Sequence, residues 1–337
     1  MTSSTIYYLN YASKQISLYV ASFFYFSGMI SNLLCLLIFL SMKRLKNNPP
    51  SIYLLVASIA NLVLMNSSFL SRIFLPNFTI DPSSTSVVWC KMRQYFGHVS
   101  AITSLFCSTW AMVDQYLLTS HHARLRQLSS VRIAQYTVWF TLICSLLHSI
   151  PLIIYNQPNV SKSTNMTSCS LSGNLIYQSY VAYFVIPFLL GIIPTVIAII
   201  FAILTYINVK SLHQQEMRTR IQRQITHMVS AQAIFGWIGM IAYTGQSIYN
   251  LLTVSMQKNT SYRAYENFAL TITGILAYTG YVFNFYIYVA VSPSIRKRFQ
   301  RWIKRFVCCS IYHNHGTMFN NRTAPIYHNR KTCGSSR

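Results

Sequence analysis

Seven stretches of about 20 or more mostly apolar residues follow one another along this chain, with short polar segments between them. A helix rises about 1.5 Å per residue, so about 20 residues cross the roughly 30 Å hydrocarbon core of a bilayer. The sequence therefore predicts an all-α membrane protein, a seven-transmembrane helix bundle with spans near 16–41, 51–73, 88–118, 131–154, 177–208, 224–250 and 267–291.

The charge distribution predicts how this bundle is oriented. Charged residues form only 9% of the chain, against roughly 25% in soluble domains, and Lys and Arg number 27 against four acidic residues. Of those 27, 20 flank one side of the predicted spans and seven flank the other. The basic side of a membrane protein stays in the cytoplasm, so the amino terminus is expected outside and the carboxyl terminus inside. The basic residues are spread between spans rather than clustered on a domain, which argues against nucleic-acid binding.

Glycosylation signals agree with this orientation. Asn-x-Ser/Thr acceptors are modified only on the lumenal side of the membrane. Four acceptors fall in predicted outer loops, whereas Asn66 within a span and Asn321 in the tail are expected to stay bare. The predicted glycosylation sites are Asn77, Asn159, Asn165 and Asn259.

A set of short motifs appears in a fixed order along the spans. The third span opens near Cys90 and closes on Asp114-Gln115-Tyr116, 24 helical steps later. Together the motifs resemble the rhodopsin-like family of G-protein-coupled receptors over residues 16–310. The other landmarks are Gly28 and Asn32 in the first span, Asn61 within Leu55–Leu62, Trp139 and Pro151 in the fourth, Cys169 in the second outer loop, Pro194 in the fifth, and Asn284-Phe285-Tyr286-Ile287-Tyr288 in the seventh.

The resemblance implies a disulfide, a coupling site and a polar core. Cys90 is expected to pair with Cys169, which would fix the second outer loop over any ligand cavity. The family's coupling motif is Asp-Arg-Tyr, so it corresponds here to Asp114, Gln115 and Tyr116. The implied polar core between the spans consists of Asn32, Asn61, Ser104, Asn284 and Tyr288.

Gln115 departs from the family, which has arginine at this position. Glutamine lacks the cationic fork that pairs with the adjacent carboxylate, although its amide still donates hydrogen bonds. A carboxylate at membrane depth needs a partner, so Asp114 is expected to pair with Arg124 or Arg126 in the following loop. We expect weaker locking of the resting state, altered coupling, or both; a tolerated variant is the alternative.

Two further departures concern the second and sixth spans. Asn61 stands where the family has an aspartate that anchors sodium, and its neutral amide predicts weak or absent sodium sensitivity. The sixth span lacks the family's proline, and only Trp237 offers an aromatic match. Gly236 and Gly239 either soften this helix in place of the proline or serve as packing glycines.

A basic amphipathic segment follows the seventh span. Ile295, Phe299, Trp302, Ile303 and Phe306 share one helical face and are surrounded by Lys and Arg, which suits an anionic inner membrane surface. Cys308 and Cys309 beside it suggest palmitoylation, with an unmodified pair as the alternative. The predicted organisation is an extracellular amino terminus at 1–15, a receptor domain at 16–291, a membrane-surface helix at 292–309 and a cytoplasmic tail at 310–337.

The resemblance places a ligand cavity between the outer halves of spans three, five, six and seven. Amine receptors have a carboxylate there, whereas this chain has Gly97, so biogenic amines are not expected. Basic residues at the outer rim, Arg72, Lys91 and Arg93, favour a peptide or an acidic small molecule; ordinary snorkelling at the interface is the alternative. The predicted cavity residues are Gly97, His98, Ala101, Tyr243 and Tyr278.

The chain is thus interpreted as a plasma-membrane receptor whose partners are an extracellular ligand, a heterotrimeric G protein and the lipid bilayer. Two other classes remain open. A receptor-like scaffold or decoy that does not activate G proteins is motivated by Gln115. A transporter or channel subunit would need charge along a pathway, and Asp114 is the only charge placed at membrane depth. The motifs indicate no enzyme, cofactor or metal site.

Overall fold

The chain forms the predicted bundle of membrane-spanning helices. A computed structural model describes residues 3–41, 48–77, 86–160, 167–171, 174–211, 218–253 and 256–304. Within these ranges six helices are long and apolar enough to cross a membrane, and one bent pair makes a seventh span. In chain order the spans are Ser4–Ser41, Pro49–Ile73, Val87–Thr119, Val131–Tyr155, Leu175–Lys210, Gln224–Leu252, and Thr260–Val282 with Asn284–Val291.

Several of these spans belong to longer or composite helices. The first helix is Ser3–Ser41, and the sixth is Arg218–Leu252. Wider π-helical turns interrupt the second and fifth, and a short helix and a two-stranded hairpin occupy two of the loops. The remaining elements are Pro49–Leu64, Met65–Phe69 (π) and Leu70–Asn77; Ala123–Leu128; strands Asn156–Val160 and Thr167–Leu171; and Leu175–Tyr180, Val181–Ile192 (π) and Ile193–Ser211.

Polar side chains fix where four of these helices begin. Ser86, Ser130, Asn174 and Asn259 each accept a hydrogen bond from the backbone N–H three residues later. Such caps satisfy donors that the first helical turn leaves open. The helix starts near residues 87, 131 and 175 therefore follow from local chemistry and agree closely with the sequence prediction.

Two predicted boundaries were wrong. The first helix begins at Ser3 rather than near residue 16, so helix continues for more than three further turns. The seventh begins at Thr260 rather than near 267. Both extensions are polar and escape a search for apolar residues. At the start of the predicted first span Ser17 donates to the Arg72 carbonyl at 2.6 Å, and within the extension of the seventh helix Glu266 forms an ion pair with Lys258.

The third span lies at the centre of the bundle, and its most extensive contact is with the second. It also packs against the fourth, fifth and sixth spans. A separate apolar cluster joins the first, second and seventh spans around the π turn, with Met65 and Phe69 fully buried against Val282.

The two glycines singled out in the sixth span are packing glycines. A Cβ atom on Gly239 would lie 1.9 Å from the backbone oxygen of Leu276, and one on Gly236 would lie 3.3 Å from the Gly280 Cα. At Gly239 a side chain would collide with the backbone of the seventh span, and at Gly236 even a Cβ would be in tight contact with it. Of the two readings left open by the sequence, close approach of spans six and seven is therefore the one observed.

The seventh span bends by 52° at Phe283 although its motif lacks proline. In a continuous helix the Tyr281 carbonyl would accept from the Phe285 N–H. Here Asn32 Nδ2 donates to that carbonyl at 2.8 Å, and the Phe285 N–H donates to Ser31 Oγ at 3.0 Å. The first span thus supplies the partners that the bend removes, as a membrane interior requires.

The segment after residue 292 forms a separate compact unit. It is helical over residues 293–304, and the Arg298 guanidinium lies 6.0 Å from the centre of the Trp302 ring. Residues 305–337, which include Cys308 and Cys309, lie outside the described residues.

Candidate functional site

The hairpin at one end of the bundle is attached to the third span. Cys90 and Cys169 form a disulfide across 79 residues, which is the pairing that the family resemblance implied. Cys169 lies opposite Pro158 in the antiparallel hairpin. Gln178 Nε2 donates to the Leu171 carbonyl at 3.0 Å and ties the hairpin to the fifth span. We refer to this end of the bundle as the disulfide end and to the opposite end as the Asp114 end.

A cavity of about 350 Å³ opens beneath the hairpin. All five residues predicted for a ligand cavity line it, so the structure brings them together from spans three, six and seven. The hairpin itself contributes the paired residues Asn156 and Leu171 to the wall. The other lining residues are Leu64, Ser68, Gln94, Leu152, Val181, Val185, Ile186 and Leu190, so the second and fourth spans take part as well as the expected ones.

Two histidines stack at one side of this cavity. The ring centres of His98 and His148 are 5.4 Å apart, and His148 Nε2 lies 3.0 Å from the Tyr180 hydroxyl. The sequence analysis selected His98 but missed its partners on spans four and five. A His and a Tyr in otherwise apolar spans are the signal that was available, because polar groups inside a membrane need partners.

A chain of hydrogen bonds crosses the middle of the bundle. Asn61 Nδ2 donates to Asn32 Oδ1 at 3.0 Å, and Ser104 Oγ donates to Asn61 Oδ1 at 2.5 Å. Spans one, two and three are therefore joined through three of the five predicted core residues. Asn284 is buried in the seventh span, and among the described residues its Oδ1 has no hydrogen-bond partner.

The fifth predicted core residue, Tyr288, forms its hydrogen bond outside this chain of Asn32, Asn61 and Ser104. Its hydroxyl donates to Gln232 Oε1 on the sixth span, and Gln232 Nε2 donates to Ser108 Oγ at 3.4 Å. Gln232 thus links spans three, six and seven beside a small cavity of about 50 Å³ that Trp237 also lines. Sequence reasoning missed Gln232, although an amide within an apolar span is itself a sign of an internal hydrogen bond.

The expectation that Asp114 pairs with an arginine was wrong. Ser129 Oγ donates to Asp114 Oδ1 at 2.8 Å, whereas Arg124 and Arg126 are exposed. Within the described residues no ion pair joins Asp114 to either arginine. Asp114 is only 5% exposed, so a short hydroxyl side chain reaches it while the long cationic side chains remain in solvent.

Gln115 connects the third and sixth spans at the Asp114 end. It is 1% exposed, and its Oε1 accepts a hydrogen bond from Thr226 Oγ1 at 2.7 Å. The amide acts as an acceptor rather than as the donor expected from sequence. The next residue, Tyr116, packs its ring 5.4 Å from Phe201 of the fifth span. A single neutral hydrogen bond therefore stands where the family would have a charged arginine.

The predicted glycosylation sites that the structure describes lie together at one end of the bundle, as the sequence predicted. Asn77 ends the second helix, Asn159 lies in the hairpin and Asn259 caps the seventh helix, all at the disulfide end. Asn165, Cys308 and Cys309 lie outside the described residues.

Comparison with known proteins agrees with this architecture. The model of the seven-transmembrane receptors of the rhodopsin family matches residues 31–288. Somatostatin receptor type 2 of Mus musculus is 25% identical over 306 residues, 83% of this chain and 76% of its own length. Type-1 angiotensin II receptor A of Xenopus laevis is 22% identical, over 75% and 72% of the two chains. C-C chemokine receptor type 8 of Macaca mulatta is 24% identical, over 80% and 74%.

Proposed function

Because this chain belongs to the rhodopsin family of seven-transmembrane receptors, which are receptors rather than enzymes, we propose that it transmits binding in the cavity at the disulfide end to a G protein at the Asp114 end. The observation that carries the proposal is the pairing of these two sites through one helix. The third span lines the cavity with Gly97, His98 and Ala101 and reaches the opposite end at Gln115. A shift of this helix therefore changes the geometry of both sites.

The disulfide end faces the outside of the plasma membrane in this proposal. The excess of Lys and Arg at the Asp114 end and the Asn-x-Ser/Thr acceptors at the disulfide end both support it. Asn77, Asn159, Asn165 and Asn259 then carry glycans. Residues 292–309 lie on the inner membrane surface, with Cys308 and Cys309 palmitoylated, before a cytoplasmic tail at 310–337.

The ligand is a peptide or a small molecule with an acidic group. The relatives are named as receptors for somatostatin, angiotensin II and a chemokine, all of them peptides or small proteins. The cavity beneath the hairpin has mostly apolar and aromatic walls with a few polar groups, which is typical of ligand sites.

Gln115 and Thr226 form the resting-state contact between spans three and six. Activation in this proposal separates the two spans and breaks this bond. A neutral hydrogen bond contributes about 0.5–1.5 kcal/mol, less than a charge-assisted one. The resting state is therefore held less tightly than by an ion pair, and we expect measurable signalling without ligand.

Guanine-nucleotide exchange on purified G protein tests this proposal. Thr226→Val removes the hydroxyl and keeps the side-chain shape, so basal exchange should rise by roughly 2–10-fold. Thr244→Val is the matched control on the same helix, because the buried Thr244 hydroxyl has no hydrogen-bond partner in the part of the chain that the structure describes. It should leave basal exchange at the wild-type rate. Equal basal exchange rates for Thr226→Val and Thr244→Val would contradict the proposal that the Gln115–Thr226 hydrogen bond holds the resting state.

A scaffold or decoy that binds ligand without activating G proteins is the second candidate, and Gln115 is the observation that favours it. The same assay separates the two functions through the reversion Gln115→Arg. If the wild type, Thr226→Val and Gln115→Arg all release nucleotide no faster than G protein alone, the scaffold replaces the signalling proposal.

A further inference from the structure

Three basic residues were predicted at the outer rim: Arg72, Lys91 and Arg93. Of these, Arg72 lies against the tyrosines of the cavity wall. Its guanidinium carbon is 5.4 Å from the centre of the Tyr278 ring, and the hydroxyls of Tyr278 and Tyr243 both interact with the guanidinium. Both tyrosines line the cavity. Lys91, by contrast, is half-buried at the start of the third span, and Arg93 is buried.

The seventh span is shaped to admit this guanidinium. A Cβ atom on Gly274 would lie 2.5 Å from Arg72 Nη1, so the arginine rests directly on the glycine backbone. Phe69 also packs against the Tyr278 ring, with 4.4 Å between ring centres and the two planes tilted by 52°. The second, sixth and seventh spans together hold the charged group against Tyr243, Tyr278 and Gly274, directly beside two residues of the cavity wall.

The charge of Arg72 is not balanced by a carboxylate within the described residues. Asp114 lies at the opposite end of the bundle, and Glu266 is engaged by Lys258. A guanidinium carries five donors, and two tyrosine hydroxyls with one ring face do not occupy them all. A cation held in a membrane protein is costly unless it is paired, so its position beside a ligand cavity points to a ligand that supplies the negative charge.

We propose that Arg72, together with Tyr243 and Tyr278, forms an anchor for a carboxylate group of the ligand. A planar carboxylate fits the guanidinium fork with two parallel hydrogen bonds, and the tyrosine hydroxyls are able to donate to the same oxygens. The anchor depends on the proposed function in one respect, because it takes the cavity beneath the hairpin as the ligand site. It narrows the ligand to one with a free carboxylate, such as the carboxyl end of a peptide.

Selection from a random hexapeptide library on purified receptor tests the anchor. One library has free carboxyl ends, and the other is the same library amidated at the carboxyl end. The wild type should enrich peptides with free carboxyl ends over their amidated forms. Arg72→Gln should weaken binding of the selected peptides by about 30-fold or more, because it removes one partner of a buried charge pair, whereas Arg72→Lys should retain part of the preference.

Two control variants separate the anchor from general charge effects. Arg263→Gln removes an exposed cation at the same end of the bundle, and binding should stay within about threefold of the wild type. Asp81 lies outside the described residues, and Asp81→Asn should likewise change binding little. Markedly stronger binding by Asp81→Asn would assign Arg72 to an internal ion pair and overturn the anchor.

The remaining outcomes also decide the question. Equal enrichment of free and amidated peptides by the wild type, enrichment of neither, or an unchanged preference in both Arg72 variants would overturn the anchor. Arg72→Gln and Arg72→Lys should elute as monodisperse protein and melt in detergent within a few degrees of Arg263→Gln, which shows that the variants are folded. Exchange absent from the wild type, with carboxylate selection retained, would instead count against the proposed signalling function and leave the anchor standing.

Discussion

Replacing Cys90 with alanine should remove most of the receptor from the cell surface and abolish peptide binding by the remainder. The disulfide closes a 79-residue separation, and in the chain-entropy model such a closure stabilises the folded state by about 4–5 kcal/mol. It also holds the hairpin residues Asn156 and Leu171 in the cavity wall. Surface display is measured as antibody binding to an amino-terminal tag on intact cells, divided by total receptor.

Two comparisons make this prediction specific to the bond. Cys107→Ala changes a buried free cysteine of the same helix and should leave surface display near the wild-type level. Cys169→Ala should behave like Cys90→Ala, and the double variant should be no worse than either single one, because both changes remove a single bond. Additive losses in the double variant, or normal display of Cys90→Ala, would show that the disulfide does not hold the hairpin.

Substituting Gly239 should disrupt the contact between the sixth and seventh spans. Even the alanine Cβ would lie 1.9 Å from the Leu276 oxygen and 2.7 Å from Thr279 Oγ1, and the first of these is a backbone atom that no side-chain rotation moves. Overpacking of this kind costs about 1–3 kcal/mol or more. We expect Gly239→Ala to melt several degrees lower than the wild type in detergent and Gly239→Leu to fail to accumulate.

Gly245→Ala provides the matched comparison for this contact. It lies on the same helix, and its added Cβ meets no atom within 4 Å. Alanine is the better helix former, so the variant should melt at or slightly above the wild-type temperature. If Gly239→Ala and Gly245→Ala melt at the same temperature, the two spans do not pack as closely as described.

The number of spans and the cavity residues of the third span could be predicted, because the spans follow a regular apolar pattern and the family resemblance places the cavity below Cys90. About 20 apolar residues make a spanning helix, and the spacing from Cys90 places Gly97 and His98 about two turns, and Ala101 about three turns, further along the third span. The helical extensions that begin at Ser3 and Thr260 were not predicted, because they are polar and carry no apolar pattern.

The contacts that shape the Asp114 end could not be predicted, because they depend on distance in three dimensions. Formal charge favoured Arg124 or Arg126 as the partner of Asp114, but the Ser129 hydroxyl is the group that reaches it. The bend at Phe283 could not be predicted either, because no proline marks it in the sequence. It is stable because Ser31 and Asn32, about 250 residues earlier, provide the missing hydrogen bonds.

The most direct measurement for this account is the accessibility of tags at the two chain ends in the same cells. One cavity facing the outside and one coupling surface facing the cytoplasm require seven spans with the ends on opposite sides. An amino-terminal tag should bind antibody on intact cells, and a carboxyl-terminal tag should bind antibody only after permeabilisation. Binding of both tags on the same side of the membrane would contradict the seven-span orientation and, with it, the assignment of the two sites.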